Sequence, residues 1–477
     1  MSDTVVVGSG PNGLAAAIRL AQAGASVSVL EAHPEIGGGT RTAPLTLKGF
    51  KHDVCSSVHP MGVVSPFFKS LPLEEHGLSW IYPEASVAHP LDSGAAVLLT
   101  QSLEETAARL GVDGKTYHKL LKPFVQNADD LIQGSLTPVQ FPRHPFLMAR
   151  FGLEAIKSAE CLAKKFKTEE AKALIAGCAA HSILPLDRSL TAAVALMFIL
   201  IGHVKAWPLP KGGSHAVTKA LASYFKSLGG KIVTNHRVSS PRDLPDARLY
   251  MFDTSPNLLV DGFSKVLPAG YVRRLQKFRY GPGIFKVDYA LKKSIPWKNA
   301  DCLKASTVHI GGTFDEIAGA EAEVWKGGHP TRPYVLVTQQ SEFDKTRAPK
   351  GKHTFWAYCH VPHGSTVDMS AHIENQIERF APGFKKTILK RSSMTTRAFE
   401  AYNPNYVGGA ITGGVSDLAQ FFSRPVLRLN PYTTPNPRII LCSASTPPGG
   451  GVHGMCGFNA AETALKRLTK LSVSALI

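Results

Sequence analysis

Residues 1–42 read MSDTVVVGSGPNGLAAAIRLAQAGASVSVLEAHPEIGGGTRT. TVVVGSG is a short β-branched run that stops at glycine. NGLAAAIRLAQAG carries helix formers with an apolar face at Leu14, Ala17, Ile18 and Ala21. SVSVLE is a second strand. The stretch predicts a compact β-α-β unit. Gly8, Gly10 and Gly13 fit G-x-G-x-x-G at the first strand–helix turn, and Pro11 and Asn12 complete that turn. Gly8 permits the tight turn, Gly10 a close approach of pyrophosphate to backbone, and Gly13 the packing of helix on strand. The helix N-terminus offers free N–H groups and a partial positive charge to a phosphate.

Glu31 stands at the end of the second strand, 18 residues after Gly13. A carboxylate there accepts hydrogen bonds from ribose hydroxyls and repels a 2′-phosphate, so FAD or NAD fits and NADP is disfavoured. PEIGGGTRT then replaces the usual run to a third strand. Gly37, Gly38 and Gly39 permit close approach of backbone to a second stretch of ligand, and Arg41 can pair with a phosphate. A dinucleotide extending past its pyrophosphate needs both; a glycine loop with a surface arginine is the structural alternative.

The chain has 477 residues, 44% hydrophobic and 19% charged, which reads as globular with two or three domains or lobes. Its net charge is +17, from 53 Lys+Arg against 36 Asp+Glu. Such an excess suits nucleic acid, an anionic membrane surface or an acidic ligand. No nucleic-acid motif accompanies it, so no nucleic-acid partner is expected. The seven cysteines are scattered, without a CxxC pair or zinc spacing, which suits reduced thiols and no metal site. No signal peptide is read at the N-terminus, and a cytoplasmic location, peripheral on a membrane or not, is expected. The longest apolar run, Leu190 to Val204, is shorter than the ~20 residues of a membrane span and reads as a buried helix.

With those residues in view, the chain resembles the FAD-dependent amine oxidase/phytoene desaturase superfamily. Three further stretches carry the resemblance. WPLPKGGSHAVTKALASYFKSLGGKIVTNHRV is similar to the segment that leads to an adenine-contacting strand. FRYGPGIFKVDYALKKSIPW resembles a substrate-lobe strand and its Pro-Trp turn. RIILCSASTPPGGGVHGMCGFNAAETAL resembles the C-terminal flavin motif. The nearest branch is that of phytoene dehydrogenase-like proteins, including the group named for a pyridine nucleotide-disulfide oxidoreductase domain. Without a redox cysteine pair, disulfide reduction is not expected.

The resemblance implies an α/β fold: a Rossmann-like FAD-binding domain (1–75, 205–262 and 400–477) and a discontinuous α+β substrate-binding lobe (76–204 and 263–399). It implies that Gly8, Gly10, Pro11, Asn12 and Gly13 line the pyrophosphate and Glu31 the ribose. Gly38, Gly39 and Arg41 would follow the ribityl-pyrophosphate side, and Val238 would touch adenine through its backbone. Gly450, Gly451, Val452 and His453, then Gly457 and Asn459, would pass beneath the flavin and begin a last helix, about 457–468. After Val238 the chain is shorter than in relatives before the returning strand.

Flavin transfers hydride or electrons, and the protein supplies orientation, water exclusion and an acid or base. Histidines are the candidates, since their pKa lies near working pH. His59 and His453 are the catalytic candidates; His52 and His215 are weaker, and all four can equally be structural. Asp53 can orient a histidine or cap a turn. Neither G-x-S-x-G nor HExxH is present, which gives hydrolase and zinc readings no support. No second GxGxxG follows a strand, so reoxidation would fall to oxygen, a quinone or a protein carrier. The expected activity is oxidation or desaturation of C–C bonds in an apolar polyene- or isoprenoid-like small molecule. Flavin-dependent double-bond isomerisation, amine oxidation, with Trp356 and Tyr358 as flanking aromatics, and a noncatalytic FAD scaffold are the alternatives. Phe141 to Lys167 mixes apolar and basic residues as a membrane-surface helix does, and as an ordinary lobe helix does.

Overall fold

The computed structural model describes residues 2–138 and 144–474, with side chains up to 469. The opening stretch forms β1 (Ser2–Val7), α1 (Pro11–Gln22) and β2 (Val27–Leu30). These lie in a five-stranded parallel sheet, in the order Ile439–Leu441, Ala247–Phe252, β1, β2 and Lys231–Val233. Its strands are apolar because helices cover both faces, as parallel sheets require. The chain therefore returns to this sheet three times: at 231–233, at 247–252 and at 439–441.

The segments before the first return and between the second and third build a seven-stranded sheet, ordered Ile388–Met394, Gly283–Leu291, His353–Val361, Val335–Thr338, Ala305–Ile310, Ala85–Pro90, Ala96–Thr100. All its pairings are antiparallel except that of Ala305–Ile310 with Ala85–Pro90. The GIFKVDYAL run forms one strand buried along its whole length. The described residues of 115–204 are mainly helical, in Gly114–Val125, Ala128–Leu136, Pro145–Ala155, Ala159–Ala163, Glu169–Ala180 and Thr191–Lys205. The helix Thr191–Lys205 holds most of the long apolar run within a core shared with α1 and the Pro66–Lys69 turn.

The last helix, Met455–Ser474, begins earlier and runs further than the 457–468 read from sequence. Gly457 thus lies inside its first turn. A Cβ there would sit 1.8 Å from the Asn12 carbonyl oxygen, so glycine is what lets this helix lie against α1. Of the amphipathic Phe141–Lys167 segment, residues 141–143 are outside the described residues; Pro145–Ala155 is a helix.

Candidate functional site

The two glycine stretches of the opening sequence touch. Gly37 N–H donates to Ser9 O at 3.2 Å, and a Cβ on Gly38 would lie 3.1 Å from Gly10 Cα. A Cβ on Gly13 would lie 2.1 Å from Gly8 O, which makes this turn a glycine turn. Gly8 has φ +103, a conformation that only glycine adopts without strain. Proline occupies the start of α1, and no side chain caps it at Gly10. Buried Asn12 Oδ1 and Thr254 Oγ1 have no hydrogen-bond partner among the described residues. A helix start with no side chain of its own as cap, two touching glycine loops and orphaned polar atoms fit the phosphates of a dinucleotide.

At the adenosine end, Glu31 is buried and fixed. Its Oε2 accepts from Ser9 N and Ser9 Oγ (3.0 and 2.5 Å), and its Oε1 accepts from His33 N at 2.8 Å. Arg41 is also buried. Its Nη2 lies 3.2 Å from Glu31 Oε1, its Nε donates to Glu35 O, and its guanidinium covers the Tyr402 ring. Arg41 is thus brought to Glu31's carboxylate. Val238 packs among Leu30, Val7 and Phe252, two residues past His236, whose N–H donates to Glu31 O. On the other side, a Cβ on Gly39 would lie 2.5 Å from Tyr406 Oη.

The C-terminal motif meets the 59–62 turn. A Cβ on Gly62 would lie 3.1 Å from Val452 O, and one on Gly450 would lie 2.8 Å from Thr412 O. Gly451, at φ +123, turns against the His453 ring. His453 Nδ1 accepts from Met455 N at 3.0 Å, which makes it the cap of the last helix. His59 Nε2 bonds Ser214 Oγ at 2.8 Å, while its Nδ1 has no partner among the described residues. Burial pushes both imidazoles down to about 4, so both are neutral at neutral pH. Asn459 Nδ2 donates to Leu136 O, which ties the last helix to the lobe helix Ala128–Leu136.

Sequence reasoning missed a buried set of charges between the sheets. Lys286 pairs with Asp288 two residues along the same strand, and Asp288 Oδ1 lies 3.6 Å from His52 Nδ1. Arg347 Nη2 lies 2.8 Å from Asp53 Oδ2, and Asp53 also accepts from Thr42 Oγ1, Ser57 Oγ and Ser214 N. Asp53 is therefore knotted to Arg347 rather than orienting a histidine. Burial alone would raise its pKa; the Arg347 charge and these hydrogen bonds hold it below the ordinary value. Burial pushes Asp288 up to about 6, against the pull of Lys286. Burial and the Lys286 and Arg347 charges push His52 down to about 3. Lys286 Nζ lies 5.5 Å from the Trp356 ring centroid. Trp356 and Tyr358 stack on each other at 5.5 Å and 29°, leaving no slot between them. His215 is half-buried, and with Lys51, Lys211 and Lys219 it lines a cavity of about 510 Å³ beside the 42–53 hairpin.

Residues 6–71 match the family described as an NAD(P)-binding Rossmann-like domain. Pyridine nucleotide-disulfide oxidoreductase domain-containing protein 2 of Rattus norvegicus is 24% identical, over 98% of this chain and 94% of its own. A lycopene-forming phytoene desaturase of Paracoccus sp. is 23% identical, over 98% and 97%. Among solved structures, a cofactor-binding redesign of putrescine oxidase superposes with a TM-score of 0.64 at 18% identity, over 98% of this chain and 99% of that one.

Proposed function

We propose that the chain, similar over nearly its whole length to a phytoene desaturase and to a pyridine nucleotide-disulfide oxidoreductase domain-containing protein, is a member of the FAD-dependent amine oxidase/phytoene desaturase superfamily and oxidises or desaturates C–C bonds of an apolar, polyene- or isoprenoid-like small molecule. These relatives support an oxidoreductase of the FAD type. The flavin, when bound, supplies the acceptor of hydride or electrons.

The observation that carries the reading is the convergence at one point of two glycine loops and two helix starts, α1 and Met455–Ser474. In this reading Gly8, Gly10, Pro11, Asn12 and Gly13 hold the pyrophosphate, Glu31 the ribose and the Val238 backbone the adenine. Gly38, Gly39 and Arg41 close the cradle from above. Gly450, Gly451 and Val452 form the wall facing the 59–62 turn, and Gly457 and Asn459 fix the last helix behind it. His59 is the stronger proton-transfer candidate, since its neutral ring keeps Nδ1 free. His453 spends the same atom on its helix cap.

The self-stacked Trp356–Tyr358 pair supports a hydrocarbon over an amine held between rings. Oxygen, a quinone or a protein carrier takes the electrons in this reading. The helix Pro145–Ala155 and the residue after it expose Phe146, Leu153 and Ile156 (90%, 68% and 53%) beside Arg150. That stripe supports docking on an anionic membrane surface, where such substrates dissolve. No helix among the described residues is long and apolar enough to cross a membrane.

The test begins with the visible spectrum of the purified protein and identification of the cofactor that heat releases. Anaerobic bleaching is then followed with polyenes in detergent and with primary amines, and products are separated by chromatography. Bleaching by amines alone would overturn the substrate class; a chain that takes up no FAD would overturn the whole reading.

A further inference from the structure

One acid already occupies the place prepared for an anion. Asp253 follows the strand Ala247–Phe252, and its Oδ2 accepts from Gly13 N at 2.8 Å, inside the first turn of α1. The same oxygen lies 2.8 Å from where a Gly10 Cβ would be. The buried, unpartnered Oδ1 of Asn12 belongs to that turn, and the unpartnered Oγ1 of Thr254 to the residue beside Asp253. A diphosphate brought to this turn meets either a carboxylate or a carboxylic acid. Two anions at one helix start repel, whereas a neutral acid can donate a hydrogen bond to a phosphate oxygen.

We propose that Asp253 is a cofactor-binding residue that acts in its neutral form, so that loading of FAD is coupled to uptake of one proton at its carboxyl. This rests on the FAD reading above. The proton balance is simple: an ionised Asp253 takes one proton from solvent as the diphosphate binds and returns it on release.

The surroundings favour the neutral form. Burial pushes the carboxyl up to about 8, with the Gly13 N–H opposing and the Glu31 charge adding to the rise. Glu31, at the end of β2, is the acidic group facing it. Arg41 is bound to Glu31 instead. Cys442, next to the strand Ile439–Leu441, and Cys456, in the last helix, face Asp253; burial raises both thiols, which stay neutral. From the 403–406 loop, the Asn405 side chain bonds the Asp253 backbone carbonyl and Ser255 N. No cation among these contacts neutralises Asp253 directly.

The experiment is an FAD titration of the apoprotein from pH 6 to pH 9.5, followed by flavin fluorescence and by calorimetry in buffers of different ionisation enthalpy. The native chain should bind FAD most tightly below pH 8 and lose about tenfold in affinity per pH unit above it, with up to one proton taken up. Asp253→Asn keeps an acceptor for Gly13 N–H and adds neutral donors. It should bind FAD with this pH dependence and proton uptake removed, while its thermal unfolding reports an intact fold. A native affinity that is flat across the range overturns the proposal. So does a folded Asp253→Asn variant that keeps the native slope, or one that no longer binds FAD. A native chain that binds no FAD at any pH overturns the cofactor reading itself.

Discussion

The Asn12 carbonyl and Gly457 face each other so closely that a Cβ at position 457 would lie 1.8 Å from the oxygen. That contact joins the first helix of the chain to its last. Gly457→Ala must push the two helices apart, because both groups are backbone. Overpacking of this kind costs about 1–3 kcal/mol, and a backbone clash belongs at the upper end. Denaturant unfolding should show that loss, and the variant should release its cofactor at lower temperature.

Gly13→Ala brings a Cβ to 2.1 Å from Gly8 O, again backbone against backbone. The expected outcome is loss of FAD uptake through distortion of the turn. Gly152→Ala, where nothing lies within 4 Å, is the matched control and should bind FAD as the native chain does. Equilibrium dialysis with FAD distinguishes the two.

The Arg347–Asp53 pair is fully buried. Arg347→Met leaves Asp53 without its counter-charge and should destabilise by about 3–5 kcal/mol. Adding Asp53→Asn should recover part of that, which a double-mutant cycle by urea unfolding measures. Asp53 has a folded pKa below its ordinary 3.8, so its contribution is present above that pH. It is lost as pH falls below 3.8 toward the folded value.

Burial holds His52 and His181 at about 3, and His59, His89, His203 and His453 at about 4, all against an ordinary 6.5. Folded histidines stay neutral where unfolded ones take up protons. The stability they provide is full above pH 6.5 and falls as pH drops toward 4, by up to ~1.4 kcal/mol per histidine per pH unit. Acid unfolding should therefore begin above the pH at which ordinary carboxylates, near ~4, titrate. His59→Asn should reduce the proton uptake on unfolding by one.

His453→Ala should cost about 1 kcal/mol through loss of the cap on Met455 N–H, with His453→Asn restoring much of it. If His453 instead transfers a proton in the reaction, the asparagine variant loses turnover while its melting temperature stays near native. Paired melting and turnover measurements decide between the two.

The nucleotide half of the fold was legible because its cause is local. TVVVGSG, the α1 apolar face and SVSVLE each specify their own structure, and glycine spacing reports a turn directly. GIFKVDYAL was legible as a strand, but not the burial of Lys286 and Asp288. Alternating charges on a strand read as a solvated face, and only the packing of two sheets shows that face to be covered. Arg347 sits in DKTRAPK, a polar turn by composition, and its partner Asp53 lies far away in sequence. Asp253 in MFDTSP reads as a turn residue before a helix; its carboxyl reaches Gly13 only because two strands are parallel neighbours. Such pairings arise from topology, which no local pattern encodes.

The strand Ile439–Leu441 and the helix after it complete a sheet that residues 2–7 begin. During synthesis β1 and β2 wait for residues 231–252 to gain their sheet neighbours, and α1 waits for the helix Met455–Ser474. α1 meanwhile keeps the face that will receive Gly457 bare. Folding dominated by such distant pairings is slow and exposed to aggregation. Removal of the helix Met455–Ser474 should thus damage α1 as severely as the lost segment itself, and a chaperone would find its binding surface on the bared face of α1.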